Sequence, residues 1–404
     1  YPSKDVLFYQ SDIRGNLLTA ERIRALKAIH EQERVTLVTT FDALMNTMAP
    51  IEKMWENVLT LEQRQLLDLK EIQAALIRMG YEKEYQVQTM GQFSVRGGIL
   101  DVFPLTEENP IRIELWGDEI DTIRYFDCES QKSIENTDRV SIYPAAELVL
   151  SDEEKARGIE KLKAEAKRVS DKLRKQMKTE EAHRVSVMAD ELTEEWGELS
   201  MYAGMDAFLS YFFDERVGLL DYFNPSDSLI FFDELTRCAE QGKLTETEFS
   251  ESMKQRLAMG YILPGQMNGL FTEKEIVAKL EKYSCIALGA LDNKANGLHQ
   301  LGSYGIHCQS VSPYNNSFEL LIKDLKRYKK NGYRVILLSG SRTRAKRLSE
   351  DITDQGITCF YTENYDHELF EGQIMVCYGK VRRGFEYPIL KFAVITESDI
   401  FGAQ

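Results

Sequence analysis

Two adjacent carboxylates, Asp233 and Glu234, are the residues of this chain best placed for nucleotide chemistry. They directly follow Ser228–Phe232, a short apolar run that predicts a buried strand. A carboxylate pair at the carboxyl end of a strand can hold magnesium and activate water beside a bound nucleotide. That chemistry needs a phosphate cradle, and the chain contains no GxxxxGKS or GxxxxGKT segment. We therefore interpret Asp233 and Glu234 as a vestigial, Walker B-like pair, and keep a nucleotide-dependent DNA-remodelling ATPase domain as the alternative function.

The remaining residues of catalytic type form no pattern that indicates a site. The six cysteines are scattered without CxxC spacing, which is typical of reduced cytosolic thiols and not of a zinc site. The five histidines form neither HxxxH nor HExxH. No catalytic residue, metal site or cofactor is therefore predicted for this stretch of chain.

The stretch Gly91–Asp127 carries the residues best suited to binding a protein partner. In Ile111–Trp116 apolar and polar residues alternate, which predicts a strand with Arg112 and Trp116 on its polar face. Arg96 stands at a glycine turn nearby in the sequence. A large aromatic residue beside arginines on a solvent face is typical of a binding hot spot.

The same residues allow a second interpretation. Trp116 would then pack against a neighbouring domain, and the two arginines would pair with acids close in sequence, namely Glu114, Asp118 or Glu119. In both cases Gly97-Gly98 and Gly117-Asp118 are predicted to form tight turns of a small antiparallel sheet.

These residues must be positioned by several domains, because 404 residues are too many for one core. We predict an α/β architecture with a small inserted α+β domain at 58–147. The inserted domain separates two parts of one α/β domain, 1–57 and 148–296. A separate small α/β domain is predicted for 297–404.

Local signals place the first elements. The runs Val6–Tyr9 and Val35–Thr40 are predicted strands of the first α/β part. In the inserted domain, Thr60–Gln63 has the spacing of a capping box, so a helix is predicted to begin there and to bury Leu66. A second capping box, Ser151–Glu154, predicts a long helix.

Two basic segments each permit two interpretations. Between Lys161 and Lys178 eight Lys or Arg accompany two acids, which suits a DNA-facing helix but is more typical of the solvated face of a long surface helix. The turn Ser339–Ser341 precedes a basic helix. Its backbone amides, with Arg342 or Arg344, could bind an anion, or it could be an ordinary loop.

The composition limits the partners of the chain. Its net charge of −15 argues against the whole chain being a nucleic-acid binder, although it does not exclude a local basic patch. No apolar run approaches 18 residues, so no membrane span is predicted. The chain does not begin with Met and its last residues follow a strand-like run, so we expect a piece of a larger protein.

The motifs GxFxVRGGILDVFP and RIELWGDEIDTIRYFD, within Gly91–Asp127, resemble domain 2 of the excision-repair protein UvrB and the matching domain of transcription-repair coupling factors. The resemblance continues through ERIRALKAI, LLDYFNPSDSLIFFDE and GKVRRGFEYPILKFAVITESDIFG. Only about ten residues separate the first predicted strand from the ERIRALKAI helix, which is too few for the tyrosine-rich hairpin of UvrB. The coupling factors are therefore the better match, and the resemblance implies an incomplete RecA-like, degenerate P-loop NTPase-type domain around the insertion.

The resemblance also implies a function. In the family this module is a non-catalytic scaffold that recruits UvrA, the damage-recognition subunit, to a stalled RNA polymerase in nucleotide excision repair. The family's UvrA contacts fall on Arg96, Arg112 and Trp116, the last of which is Phe in some relatives. Arg112→Glu is predicted to abolish UvrA binding and to leave the fold intact, because Arg112 is expected to be an exposed strand charge, whose replacement costs little stability.

For the longer parent protein the resemblance implies ATP and magnesium in a motor, RNA polymerase and DNA as further partners, and a cytoplasmic location. It also implies an intramolecular contact with a C-terminal domain.

Overall fold

The computed structural model describes residues 1–4, 15–32, 34–198, 205–290 and 298–402 of the chain. They fold as two units, Tyr1–His299 and Gln300–Gln404. Both units combine helices with strands, so the predicted α/β class is confirmed.

The first unit begins with short elements that pack on a common core. They are α1 (Gly15–Glu31), α2 (Phe41–Met45), β1 (Thr47–Met48) and α3 (Ile51–Trp55). The predicted strand Val6–Tyr9 lies outside the described residues. The predicted strand Val35–Thr40 is wrong, since residues 35–40 belong to no ladder. In that run Val38 accepts a hydrogen bond from the Tyr1 ammonium group (2.7 Å), and its side chain is exposed. A β-branched run becomes a strand only where a partner backbone lies beside it.

A segment of strands and one helix with its own hydrophobic cluster follows, and we keep for it the name inserted domain. Its elements are β2 (Leu59–Glu62), α4 (Leu69–Arg78), β3 (Glu82–Lys83), β4 (Gln92–Arg96), β5 (Ile99–Val102), β6 (Ile111–Trp116), β7 (Glu119–Phe126), β8 (Ser133–Thr137) and β9 (Arg139–Ile142). Strands β3 to β8 form one sheet in sequence order, in which only β3 and β4 are parallel. Strands β2 and β9 form a separate antiparallel pair. Helix α4 packs on the apolar face of the sheet through Leu76, which is fully buried.

The predicted start of the helix, at Thr60, is wrong. Thr60 lies in β2, where pairing with β9 allows Leu61 to be buried. The helix begins eight residues later, because the Asp68 carboxylate accepts hydrogen bonds from the backbone amides of Lys70 and Glu71. Capping-box spacing alone therefore misplaced the helix, since the cross-strand partner of Thr60 lies about 80 residues away.

A helical hairpin comes next, built from α5 (Asp152–Lys175) and α6 (Thr179–Glu198). The predicted capping box at Ser151 is confirmed: its hydroxyl accepts from the Glu154 amide, and the Glu154 carboxylate accepts from the Ser151 amide. Leu162 and Leu173 are buried within the hairpin core, whereas the basic residues of α5 face outward. This arrangement agrees with the solvated-face interpretation of the basic run.

The chain then returns to the core of the first unit. The elements are α7 (Leu209–Phe212), β10 (Val217–Gly218), β11 (Leu229–Asp233), α8 (Leu235–Ala258), α9 (Glu273–Leu280) and β12 (Ser284–Leu288). Strands β11 and β12 form a two-stranded parallel sheet, and β10 pairs with β1.

The second unit is organised around one six-stranded sheet. Its elements are β13 (Gln309–Ser310), α10 (Phe318–Lys330), β14 (Arg334–Ser339), α11 (Arg342–Asp354), β15 (Phe360–Tyr361), β16 (Ile374–Tyr378), β17 (Phe385–Tyr387), β18 (Phe392–Thr396) and α12 (Glu397–Phe401). The order is β13-β17-β18-β14-β16-β15, and the four strands from β18 to β15 are parallel. Within the described ranges, none of the helices is both long and apolar enough to cross a membrane.

A buried ion pair joins the chain that leaves the inserted domain to α1. Arg22 on α1 has a side chain with no exposed surface and donates to both oxygens of Glu147 (2.7 and 3.0 Å). Lys4 lies 3.2 Å from the same carboxylate. Burial alone would raise the pKa of Glu147, but Arg22 and Lys4 outweigh burial and lower that pKa to about 2. The pair therefore fixes the chain leaving the inserted domain against α1.

We expect Glu147→Gln to lower the free energy of unfolding of the first unit by about 3 kcal/mol at pH 7, because Arg22 loses its buried counter-charge. Folding lowers the pKa of Glu147 from its ordinary value of 4.5 to about 2. The ion pair therefore contributes its full stabilisation above pH 4.5 and loses it as the pH falls toward 2. Urea unfolding followed by tryptophan fluorescence measures it, since all three tryptophans lie in the first unit.

Glu160→Gln, on the exposed face of α5, is the matched control and should leave the unfolding midpoint unchanged. A difference between wild type and Glu147→Gln that stays constant from pH 7 to pH 3 would contradict the assignment.

Candidate functional site

Two hairpins with tight turns position the predicted binding residues. The β4–β5 hairpin turns at Gly97, which has φ +61°, and the β6–β7 hairpin turns at Gly117, which has φ +65°. A positive φ at the first of two loop residues favours glycine. Both predicted glycine turns are therefore confirmed. They leave Arg96 and Trp116 as the last residues of β4 and β6.

The strand register puts the three predicted residues on one face of the sheet. Asp101 lies opposite Arg112, and Ile99 lies opposite both Arg96 and Glu114. Directly paired residues of antiparallel strands share a face. We call the face that carries Arg96, Arg112 and Trp116 the polar face. The other face carries the core of the inserted domain.

A buried carboxylate organises the polar face. The side chain of Asp101 is 2% exposed. It accepts two hydrogen bonds from Arg112, to Oδ1 at 2.7 Å and to Oδ2 at 2.8 Å, and one from Arg96, to Oδ2 at 3.0 Å. Neither interpretation of the sequence identified Asp101. The sequence feature that could have identified Asp101 is a single acid in an otherwise apolar strand, which lies between the two glycine turns in the sequence.

Arg112 is held on several sides. Its guanidinium also donates to the Gln131 side chain (2.8 Å) and lies 4.3 Å from the centroid of the Phe126 ring. The hydrogen bonds from Arg112 to Asp101 raise the pKa of the guanidinium further above its usual value. Its side chain is only 12% exposed. The expectation that Arg112 is an exposed strand charge is therefore wrong. The alternative that the arginines pair with Glu114, Asp118 or Glu119 is also wrong, because both bind Asp101.

Trp116 has the opposite environment. Its side chain is 84% exposed, so the alternative that it packs against a neighbouring domain is wrong for the described residues. Glu119 on β7 pairs with Trp116 of β6 on one side. On its other side Glu119 forms an isolated antiparallel β-bridge with Leu66. Leu66 was expected to be buried but is 75% exposed. The register therefore sets Trp116 and Leu66 on the same face, one on each side of Glu119.

Further charged residues lie on the polar face. Glu114 lies between Arg112 and Trp116 along β6 and forms an ion pair with Arg124 on β7. Asp101 neutralises only one of the two guanidinium charges that it binds. The cluster of Arg96, Arg112 and Asp101 therefore keeps one positive charge, whereas the exposed Glu119 lies opposite Trp116 on the same face.

The Walker B-like pair lies where the sequence placed it, at the carboxyl end of a strand. Asp233 ends β11, and Glu234 caps α8 with left-handed backbone angles (φ 58°, ψ 64°). The Glu234 carboxylate accepts a hydrogen bond from the backbone amide of Ala290 (3.1 Å). Among the residues that the structure describes, no group of three or more His, Cys, Asp or Glu could hold a metal ion.

We expect Arg112→Glu to destabilise the first unit by about 3 kcal/mol or more, because it removes a bidentate ion pair and sets a second carboxylate against buried Asp101. Arg139→Glu is the matched control. Its side chain lies on β9, is 65% exposed and forms a surface ion pair, so the change should cost at most about 1 kcal/mol. Urea denaturation compares the two, and equal midpoints would show that the Asp101 contact contributes nothing to stability.

Comparison with known proteins finds two kinds of match for this chain. Residues 59–148 match the family model described as the UvrB interaction domain. The chain is 28% identical over 402 residues to the transcription-repair-coupling factor of Bacillus subtilis strain 168, covering 99% of this chain and 34% of that protein.

Two staphylococcal proteins of the same name give similar values. The identity is 26% over 408 residues for Staphylococcus haemolyticus strain JCSC1435, covering 99% of this chain and 33% of the relative. The identity is 25% over 414 residues for Staphylococcus aureus strain MRSA252, and the match covers 100% of this chain and 34% of the relative. The chain thus spans about a third of the length of the curated relatives it matches. The predicted resemblance is confirmed: residues 59–148 match the UvrB interaction domain, and the chain is similar to transcription-repair-coupling factors along nearly its whole length.

Proposed function

We propose that this chain is a non-catalytic scaffold whose polar face binds UvrA, and that it links a stalled RNA polymerase to nucleotide excision repair in the bacterial cytoplasm. The observation that carries the proposal is the exposed Trp116 on a rigid sheet, beside a cluster with one uncompensated positive charge. The match of the inserted domain to the UvrB interaction domain and the names of the relatives support the choice of partner and pathway.

Each residue has a distinct part in this proposal. Trp116 is the anchor, because an exposed aromatic side chain that is desolvated on binding contributes most to an interface. Arg96 is the charged contact: its side chain is 38% exposed and only one of its nitrogens is bound to Asp101. The remaining donors can pair with a carboxylate of the partner. Arg112 is the positioning residue, since with Asp101 it keeps Arg96 in place.

The proposal extends the surface to Leu66. Leu66 and Trp116 flank Glu119, and both are exposed apolar side chains on this face of the sheet. A partner that covers Trp116 therefore also covers Leu66. The sequence offered no reason to include this residue, because it was expected in the core.

We expect Trp116→Ala to weaken binding to purified UvrA at least tenfold in isothermal titration calorimetry, with little change in unfolding midpoint, because its side chain is exposed. Tyr304→Ala is the matched control: Tyr304 is an aromatic side chain of the second unit with 90% exposure. Its affinity should equal that of the wild type. A folded Trp116→Ala protein that binds UvrA normally would overturn the site.

We also propose that the core around the insertion is an incomplete RecA-like domain that no longer hydrolyses nucleotide. The parallel pair β11–β12 with Asp233 at its carboxyl edge supports this ancestry. Glu234 has a structural contact instead, through the amide of Ala290.

A titration with fluorescent ATP and magnesium separates this proposal from the ATPase alternative. We expect no saturable binding at micromolar concentrations, because the chain has no phosphate-binding loop of the GxxxxGKS type. Saturable binding that Asp233→Asn abolishes would favour the DNA-remodelling ATPase domain.

A further inference from the structure

The second unit has a cleft at the carboxyl edge of its parallel strands. Strand β14 lies between β16 and β18, and the chain runs from β14 through α11 to β15 and β16 on one side and reaches β18 on the other. Such a reversal of strand order opens a crevice outside the carboxyl ends of the strands. A cleft of about 390 Å³ lies at this point.

The cleft is lined by cations from two elements. Arg344 comes from α11, and Lys380 and Arg382 come from the loop after β16. Among the ion pairs of the described residues, Arg344 pairs with Glu397, and none involves Lys380 or Arg382. The second unit carries 14 Lys and Arg against 12 Asp and Glu, whereas residues 1–299 carry 36 against 53. The cleft is thus a local basic site in an acidic chain. We call it the basic cleft.

Glu397 already occupies the Ser339–Ser341 turn, for which an anion site and an ordinary loop were both left open. Its Oε2 accepts hydrogen bonds from the Gly340 amide (2.7 Å) and the Ser339 hydroxyl (2.9 Å). Its Oε1 pairs with Arg344. The anion at the start of α11 is therefore a carboxylate of the chain itself. An external ligand would meet Lys380 and Arg382 and not the amides of the turn.

The loop that carries these cations is anchored at both ends. At its start, the Gly379 amide donates to the Ser339 carbonyl (3.0 Å). At its end, buried Asp399 accepts from the Gly384 amide (2.7 Å). A Cβ on Gly384 would lie 2.4 Å from the Asp399 carboxylate, so this approach requires glycine. Lys380, Arg382 and Arg383 are therefore exposed from a loop whose ends are held, which lowers the entropic cost of binding.

An aromatic ring completes the lining. Phe401, on α12, is 45% exposed and lies in the wall of the cleft. Cations that follow a phosphate backbone together with an aromatic side chain that stacks on a base are typical of sites for single-stranded nucleic acid. A duplex would keep its bases stacked away from the ring. We propose that the basic cleft binds single-stranded nucleic acid through Lys380, Arg382 and Phe401.

The test is fluorescence anisotropy of the whole 404-residue chain with a labelled oligothymidylate. We expect salt-sensitive binding, in which the logarithm of the association constant falls with the logarithm of the salt concentration with a slope of about −1.4, as for two phosphate contacts. Lys380→Ala with Arg382→Ala should weaken binding at least tenfold. Phe401→Ala should weaken it about tenfold with less change in the slope.

Two variants serve as controls. Lys167→Ala with Lys172→Ala removes the same number of charges from the exposed face of α5 and should leave the affinity unchanged. Trp116→Ala should also bind the oligonucleotide normally, so failure of the UvrA proposal would not affect this one.

The proposal is overturned if the wild type does not bind the oligonucleotide at low salt, or if the α5 variant loses binding and the cleft variant keeps it. Tighter binding to a duplex of equal length would also overturn it, as would displacement by AMP at the same phosphate concentration. Thermal unfolding of every variant checks that the second unit remains folded.

Discussion

The free energy cost of burying the Asp101 carboxylate governs how the polar face is built. A buried carboxylate needs counter-charges and hydrogen-bond donors, and here two arginines on neighbouring strands supply them. One of these arginines, Arg112, is largely buried because it binds Asp101. The other, Arg96, keeps part of it. The same contact therefore contributes to stability and leaves a net positive charge on the surface.

A rigid frame supports this face. The ion pair between Arg22 and Glu147 ties the end of the inserted domain to α1, and Tyr143 reinforces the contact through a hydrogen bond with His30 (2.6 Å). The Leu105 carbonyl also accepts a hydrogen bond from Arg24 on α1 (3.0 Å). A partner that binds the polar face is thereby held at a defined position relative to the rest of the first unit.

In each of the two units, a buried or half-buried carboxylate binds nearby positive groups. Asp101 gathers two arginines in the inserted domain, and Glu397 gathers Arg344 and the turn before α11 in the second unit. In each case an internal anion satisfies some of the positive groups and leaves others exposed. Arg96 is left on the polar face, and Lys380 and Arg382 are left in the basic cleft. This division leaves cations exposed at two places in an acidic chain.

The sequence by itself determined the features that depend on near neighbours. The period of two in β6 and the glycines at 97 and 117 specified both hairpins and placed Arg112 and Trp116 on one face. The capping box at Ser151 specified the start of α5, since its hydrogen bonds span three residues. The same rule failed at Thr60, where a strand about 80 residues away provides a better partner. Only the tertiary structure decided that Arg112 is held by Asp101 and that Trp116 and Leu66 are exposed. Which strands lie side by side, and which face remains uncovered, depend on contacts between segments far apart in the chain.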